Sequence, residues 1–365
     1  MTRSACLASL SVAALLAIAA GSAFAQDIDC GECHDDVSHA TTVHTDVTCL
    51  ECHTNVTSAH EGADLEPLTD EESCGECHGS VGRTIGRSVH GGEAGCLDCH
   101  GAPHDIREGS DLASAVSKVN QIQQCGACHD DPPELIDGFL AGEHGKALLL
   151  SGLINAPTCS DCHGDHRIME TDKGRAPTAH QNSPEMCGTC HSILLEEWKD
   201  QSAHGLAWQA DEEGPVCVDC HASHEIVDPT TYNARHAGAS NCGTCHEDYL
   251  TTFRDSFHGQ ALHLGMSEGA TCADCHTPHK NLAADNPASS VHPDNRLDTC
   301  GNCHEDITAA FATFDPHSNP TDPDDNFYVY VIWVFMTSLL IGVFAFFGIH
   351  DLLWLQRSLV GTLRG

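Results

Sequence analysis

The sequence predicts a chain that is mostly coil with short α-helices and little sheet, followed by one C-terminal transmembrane helix. Residues 26–326 contain only about 15% Leu, Ile, Val and Phe, too little to form a conventional aliphatic core. The chain contains 23 Cys and 28 His, which indicates that something other than side chains fills its interior. Residues 327–349 are uncharged and mostly apolar, and a helix of that length, about 35 Å, spans a bilayer.

The N-terminus has the pattern of a secretory signal peptide over residues 1–25. Arg3 supplies the positive start, and an apolar run extends from Cys6 to Ala20. Ala23-Phe24-Ala25 forms a small-x-small cleavage site before Gln26. We therefore expect a mature chain that begins at about Gln26 and folds outside the cytoplasm.

The mature chain contains eleven Cys-x-x-Cys pairs, each followed directly by histidine, and no other cysteine. The pairs, numbered as sites one to eleven in chain order, are Cys30 and Cys33, Cys49 and Cys52, Cys74 and Cys77, Cys96 and Cys99, Cys125 and Cys128, Cys159 and Cys162, Cys187 and Cys190, Cys217 and Cys220, Cys242 and Cys245, Cys272 and Cys275, and Cys300 and Cys303. Their histidines are His34, His53, His78, His100, His129, His163, His191, His221, His246, His276 and His304.

This spacing is typical of covalent c-type haem attachment. The two thiols form thioethers to the vinyl groups of one haem, and the next histidine binds the iron as the proximal axial ligand. Disulfide scaffolds, zinc sites and thioredoxin-like sites also use such cysteine pairs, but none requires a histidine after every pair. The sequence therefore predicts eleven covalently attached haem c groups, which would supply the missing apolar core.

On these motifs the chain resembles the multihaem cytochromes c of exported bacterial respiratory systems, over essentially its whole soluble part. The resemblance implies electron transfer through closely stacked haems, mostly ligated by two histidines. It differs from the quinol-oxidising tetrahaem type, whose membrane anchor is N-terminal, whereas here the anchor is C-terminal. Quinol chemistry is therefore not carried over directly.

The sites alternate between two forms. The first, Cys-Gly-x-Cys-His, begins at Cys30, Cys74, Cys125, Cys187, Cys242 and Cys300. The second usually ends in Asp-Cys-His and begins at Cys49, Cys96, Cys159, Cys217 and Cys272. The repeating unit is therefore a di-haem module of two consecutive sites, five complete and one half, as in arrays that stack neighbour on neighbour.

Each site is followed by a further histidine, the candidate distal ligand. In the first form it comes after a segment with helical spacing of apolar residues, for example Ile193, Leu194 and Trp198 before His204. A glycine follows His90, His144, His204 and His258, which predicts a helix end there. The candidates are His44, His90, His144, His204, His258 and His317 after first-form sites, and His60, His104, His166, His224 and His279 after second-form sites.

Eleven candidates match eleven irons, but spacing does not show which iron each one serves. It is equally open whether a candidate binds its own haem or a neighbour's. The histidines left over are His39, His180, His236, His263 and His292. Because His180, His236 and His292 each precede a first-form site, they are alternative ligands.

The anchor predicts the orientation of the chain. Arg357 and Arg364 follow the span and aspartates precede it, so the positive-inside rule places residues 350–365 in the cytoplasm and the haems outside. We expect a haem domain at 26–318, a linker at 319–326 and a transmembrane helix at 327–349. His350 either ends the span at the interface or contributes to a haem b or quinone site with a partner.

Residues 26–326 contain 13 basic and 52 acidic side chains, so nucleic-acid binding is not expected. The acidity either attracts basic redox partners or keeps a haem-rich protein soluble.

We expect an electron conduit between a membrane cytochrome b or quinol dehydrogenase subunit and a soluble cytochrome or terminal reductase. The alternatives are a multihaem reductase of nitrite, hydroxylamine or a sulfur oxyanion with one open-coordinate haem, and an extracellular haem polymer.

Overall fold

The computed structural model describes residues 30–32, 34, 37, 42–56, 68–210 and 214–364. The predicted signal peptide, Cys33 and His60 lie outside these ranges. The chain divides into two compact units, Met1–Ala179 and His180–Gly365. The predicted fold class is confirmed: the described residues form many short helices, one long apolar C-terminal helix and no strand.

The helices of the first unit are short, and most of them contain or flank a Cys-x-x-Cys-His motif. Its α-helices are Cys49–Cys52, Asp70–Ser73, Gly75–Ile85, Cys96–His100, Gln121–Gly126, Glu134–Ala141, Glu143–Leu149 and Cys159–His163, with 3-10 turns at Cys30–Glu32 and Pro103–Asp105.

The second unit repeats this pattern. Its α-helices are Ser183–Gly188, Ser192–Gln201, Ala203–Gln209, Cys217–His221, Tyr232–Cys242, Glu247–Asp255, Phe257–His263, Cys272–His276, Arg296–Gly301 and Phe327–Arg364, with 3-10 turns at His180–Asn182, Pro278–Lys280 and Phe311–Thr313.

Each second-form motif forms a one-turn helix of its own, capped by the acidic residue before its second cysteine. The backbone N–H of Thr158 donates to the Asp161 carboxylate over 2.7 Å. The backbone N–H of Val216 donates in the same way to Asp219 over 2.6 Å. A carboxylate at this position satisfies an otherwise unpaired amide and complements the helix dipole. This explains why the second form ends in Asp-Cys-His.

At sites five, seven, nine and eleven the first-form motif instead lies where a helix ends, and at two of them its glycine gives room for the next helix. A Cβ on Gly188 would overlap the side chain of Leu195, and one on Gly243 would overlap Leu250. Both leucines belong to the helix that leads to the distal histidine. At sites seven and nine the glycine of the Cys-Gly-x-Cys-His form is therefore a packing requirement, whereas a Cβ on Gly126 or Gly301 would make only ordinary contacts.

The expectation that glycines after the distal histidines end helices is wrong, since Gly91 lies in a turn after a helix that already ends at Ile85. Gly145, Gly205 and Gly259 lie in the first turn of a new helix. A Cβ on Gly205 would overlap the carbonyl oxygen of Trp198, in the preceding helix. A Cβ on Gly259 would overlap the carbonyl oxygen of Phe253 in the same way. Glycine is needed here because two consecutive helices meet at a sharp corner, with the histidine in the corner.

The apolar core is small, as the composition predicts. In the first unit Ile122, Leu148 and Ala156 form one buried cluster. In the second unit Ala239, Phe253 and Leu262 form another, against which Cys272 packs. Clusters of this size cannot offset the ordering entropy of such a chain.

The helix Phe327–Arg364 contains an apolar stretch long enough to cross a membrane, Phe327–Val360. It continues past the predicted end of the span at residue 349, so the change in composition near His350 does not end the helix.

Candidate haem sites

The structure places motif histidines opposite candidate distal histidines. In the first unit the facing rings are His78 with His44 (ring centres 6.1 Å apart), His53 with His104 (6.2 Å), His129 with His90 (5.9 Å) and His100 with His166 (6.1 Å). In the second unit they are His246 with His204 (6.3 Å), His221 with His279 (6.0 Å), His304 with His258 (5.9 Å) and His276 with His317 (6.3 Å).

The separation of these rings fits a metal ion held between them. A first-row metal bound at about 2 Å from each of two opposed imidazole nitrogens keeps the ring centres about 6 Å apart. All eight separations lie between 5.9 and 6.3 Å. Rings in direct van der Waals stacking would approach more closely. The residues present therefore fit an iron with two axial histidines.

In every pair the two histidines come from successive modules. His44 follows site one but faces His78 of site three, and His104 follows site four but faces His53 of site two. The second unit shows the same exchange, since His204 follows site seven and faces His246 of site nine. These eight distal candidates therefore face a neighbour's motif and not their own.

Within one module the two motifs meet through their first cysteines. The Sγ atoms of Cys125 and Cys159 are within hydrogen-bonding distance, as are those of Cys187 with Cys217 and of Cys242 with Cys272. This hydrogen bond raises the pKa of Cys125 and lowers that of Cys159. Sites five and six, seven and eight, and nine and ten are therefore neighbours in space.

The second cysteines of sites six, seven, nine and eleven are accessible. They are Cys162, which is half-buried, and Cys190, Cys245 and Cys303, which are exposed. The hydroxyl of Thr189 donates to the carbonyl oxygen of Met186 over 2.8 Å and lies only within 3.9 Å of Sγ of Cys190. Such a contact leaves the thiol accessible to a haem vinyl group. The thioether role of these four cysteines, like that of the other motif cysteines, stays a prediction from the motif.

Between modules a second contact recurs. The residue directly before one distal candidate donates its backbone N–H. The acceptor is the carbonyl oxygen of the residue two positions after another distal candidate. The bonds are Val43 to Ile106, Val89 to Ile168 and Ala203 to Asn281, each 2.9 Å long. These bonds hold His44 near His104, His90 near His166 and His204 near His279. The two histidines of each such pair face consecutive sites. The two contacts alternate along each unit.

A basic side chain bridges the motifs of three modules. The residue seven positions before the first-form cysteine pairs with the capping aspartate of the following second-form site. The pairs are Lys118 with Asp161 (3.0 Å), His180 with Asp219 (2.8 Å) and Arg235 with Asp274 (3.0 Å). This set was not predicted from the sequence, although the repeated aspartate and the fixed spacing were visible.

Burial lowers the pKa of several paired histidines. Desolvation is the main cause for His100, His221 and His276, and the facing ring of His166, His279 or His317 adds to it. The pKa of His204 and that of His258 are lowered for the same reasons. A lowered pKa keeps imidazole neutral near pH 7, and the neutral form binds metal.

Space for a flat cofactor is present beside site five. An open cavity of about 640 Å³ is lined by residues that include Ile122, Gly126, Ile136 and Leu149. This volume is within the range of cofactor sites. The motif cysteines of the described residues are half-buried or exposed, so a haem can reach them.

The remaining histidines lie elsewhere. His180 contacts Asp219, the ring of His236 lies 5.9 Å from that of Tyr232, and His292 lies 3.7 Å from Asp294. Among the described residues, no group of three or more His, Cys, Asp or Glu side chains could by itself hold a metal ion. The described candidates without a ring pair given above, His34, His144, His163, His191 and His224, each make other contacts.

Comparison with known proteins gives a distant relative among multihaem cytochromes, and no family model matches the chain. The chain is 22% identical over 191 residues to the multiheme cytochrome MtrA of Shewanella baltica (strain OS185). The match covers 49% of this chain and 51% of the relative, so the chain spans about half the length of the curated protein it matches.

Proposed function

We propose that this protein is a membrane-anchored multihaem cytochrome c that carries electrons through eleven covalently attached haems. The exchange of histidines between successive modules carries this proposal, because it gives eight motif histidines a facing partner at a distance that suits iron. The similarity to a multiheme cytochrome supports the coarser part, a multihaem c-type cytochrome in electron transfer.

The motif cysteines would hold each haem by thioethers, with the motif histidine and the facing histidine as axial ligands. Bound haem supplies reversible one-electron chemistry at its iron. The chain sets the order of the sites, shields them from water and holds the imidazoles neutral. Capping aspartates such as Asp161 and Asp274 fix the second-form motif helix to the segment that leads into the first-form motif of the same module.

The alternating contacts support a continuous path within each unit. Cysteine contacts join the two sites of one module, and backbone bonds join the histidines that face consecutive sites. Burial raises the pKa of Cys99, and Cys128 of the next site raises it further. Burial also raises the pKa of Cys275, and Cys300 of the next site raises it further. Because Cys96 also lies within hydrogen-bonding distance of Cys74, sites two to six follow one another in chain order, as do sites seven to eleven.

The C-terminal helix supports attachment to the cytoplasmic membrane. We infer a haem domain at 26–318 on the outer side, a linker at 319–326, a span at 327–349 and a cytoplasmic segment at 350–365. A membrane cytochrome b or quinol dehydrogenase subunit is the inferred electron donor, and a soluble cytochrome or terminal reductase the acceptor. Acidic side chains over the soluble part favour partners with basic surfaces.

The test is electron paramagnetic resonance of the oxidised full-length protein, together with its haem-to-protein ratio. Eleven haems, all low-spin, are expected. A lower ratio would overturn the haem count. One high-spin iron would favour the alternative, a reductase of nitrite, hydroxylamine or a sulfur oxyanion, since such catalysis needs an open position on iron.

A further inference from the structure

Asn281 lies against the distal candidate His204 and is held there at two points. Its side-chain Nδ2 is 2.9 Å from Nδ1 of His204. Its backbone carbonyl accepts the N–H of Ala203 over 2.9 Å. Because Ala203 directly precedes His204, the asparagine and the imidazole are fixed relative to each other.

The amide of Asn281 has one atom without a partner. Oδ1 is buried and makes no hydrogen bond among the described residues. The two ends of an asparagine amide are distinguished only by their hydrogen bonds, and a half-turn exchanges them without moving the rest of the side chain. After that half-turn Oδ1 faces Nδ1 of His204 at hydrogen-bonding distance.

The half-turn is the arrangement that a metal-bound His204 requires. When Nε2 binds a metal, Nδ1 carries the ring hydrogen and can only donate. The Nδ2 group is also a donor, so it cannot accept that hydrogen. Oδ1 can accept it, and its hydrogen bond would fix both the tautomer and the orientation of the ring.

Other repeats lack this acceptor at the equivalent position. Ile106 and Ile168 accept the same backbone hydrogen bond, from Val43 and Val89. An isoleucine side chain has no polar atom, so it cannot pair with the imidazole of His44 or His90. The asparagine is therefore a feature of the His204 repeat and not a requirement of the fold.

We propose that Asn281 is a positioning residue that accepts a hydrogen bond from Nδ1 of His204 and lowers the reduction potential of the haem at site nine. His204 faces His246 of that site, with ring centres 6.3 Å apart. An acceptor on Nδ1 makes the imidazole more basic, and a more basic ligand stabilises ferric iron over ferrous iron. This inference rests on the bis-histidine ligation proposed above.

The test uses the full-length haem-loaded protein and two variants, Asn281→Ile and Asn281→Asp, in potentiometric titrations followed by the haem α band. Asn281→Ile copies the other repeats. It should raise the reduction equilibrium constant of one haem about tenfold, an upward shift of about 59 mV for one electron. Asn281→Asp should move one haem in the opposite direction, because a carboxylate is the stronger acceptor.

Opposite shifts distinguish a hydrogen bond from disturbed packing, which would move both variants the same way. Ile168→Val, at the equivalent position of another repeat, is the matched control and should leave every potential unchanged. Unchanged potentials in Asn281→Ile, or shifts of the same sign in both variants, would overturn the inference. Failure of the proposed function would appear separately, as missing haems or high-spin iron in the unsubstituted protein.

Discussion

The rings of His90 and His129 face each other with their centres 5.9 Å apart, although the two residues belong to successive modules. His90 follows site three in the chain, yet it faces the motif histidine of site five. In the opposite direction, His166 follows site six and faces His100 of site four. In the eight pairs that the described residues form, the motif histidine thus receives its facing histidine from the neighbouring module.

The exchange predicts which haem loses its ligand when His90 is replaced. His90→Ala should produce one high-spin haem at site five, seen by electron paramagnetic resonance. Adding Cys125→Ala and Cys128→Ala, which remove the attachment of that haem, should abolish the high-spin signal. If the signal persists in the combined variant and disappears instead with Cys74→Ala and Cys77→Ala, then His90 serves site three.

The angles between facing rings predict a mixed low-spin spectrum. The rings of His100 and His166 are nearly parallel, at 12°, whereas those of His44 and His78 lie at 68°. Parallel ligand planes split the two iron orbitals that they contact, and near-perpendicular planes leave them almost degenerate. Low-temperature spectra should therefore show both rhombic and highly anisotropic low-spin signals, and His166→Ala should weaken the rhombic class. A single class of signal would contradict these angles.

The helix corner at Gly205 predicts a large effect of adding one methyl group. Gly205→Ala should lower the free energy of unfolding by about 1–3 kcal/mol, because the new Cβ overlaps the carbonyl of Trp198. Gly238→Ala is the matched control, since a Cβ there meets nothing within 4 Å inside the helix Tyr232–Cys242. It should raise stability by about 0.4–1 kcal/mol. Equal effects in denaturant unfolding would refute the corner explanation.

The pair of Asp274 and Arg235 predicts a pH-dependent contribution to stability. Burial raises the pKa of Asp274, but hydrogen bonds from Thr271 and the guanidinium of Arg235 lower it by more. Its stabilising effect should therefore be complete above the ordinary pKa of 3.8 and be lost as the pH falls through the lowered folded value. Asp274→Asn should cost about 1 kcal/mol at pH 7.

That cost should shrink in unfolding measurements below pH 3.8, where the carboxylate of the unfolded chain takes up a proton, and should vanish once the pH is below the lowered folded pKa. Asp285→Asn, at an exposed position in the same unit, provides the control and should change little at either pH. A cost at Asp274 that stays constant down to the acid limit would contradict the assignment.

Loss of haem should unfold the soluble part. The buried clusters around Leu148 and Leu262 are too small to stabilise units of this size. Protein produced without haem attachment should show little helix by circular dichroism, apart from the C-terminal segment, and no cooperative thermal transition. A cooperative transition in the haem-free chain would show that the side chains alone form an adequate core.

The amino-acid sequence by itself determined the number of attachment motifs, their two alternating forms and the apolar C-terminal helix. These features depend on spacings of a few residues or on a continuous apolar run, so local pattern is enough to find them. The distal candidates were also visible, because each one follows its motif at a similar distance. The helix ends predicted at Gly145, Gly205 and Gly259 were wrong, since the need for glycine there comes from the preceding helix.

Only the tertiary structure decided which histidine faces which motif. His204 and His246, or His53 and His104, are far apart in sequence, and they meet because modules stack on one another. The same stacking brings Asn281 to His204, whereas the pair of Arg235 and Asp274 joins the two motifs of one module. The spacing within one repeat shows which histidine is a candidate ligand. Which motif histidine it faces depends on how neighbouring modules pack.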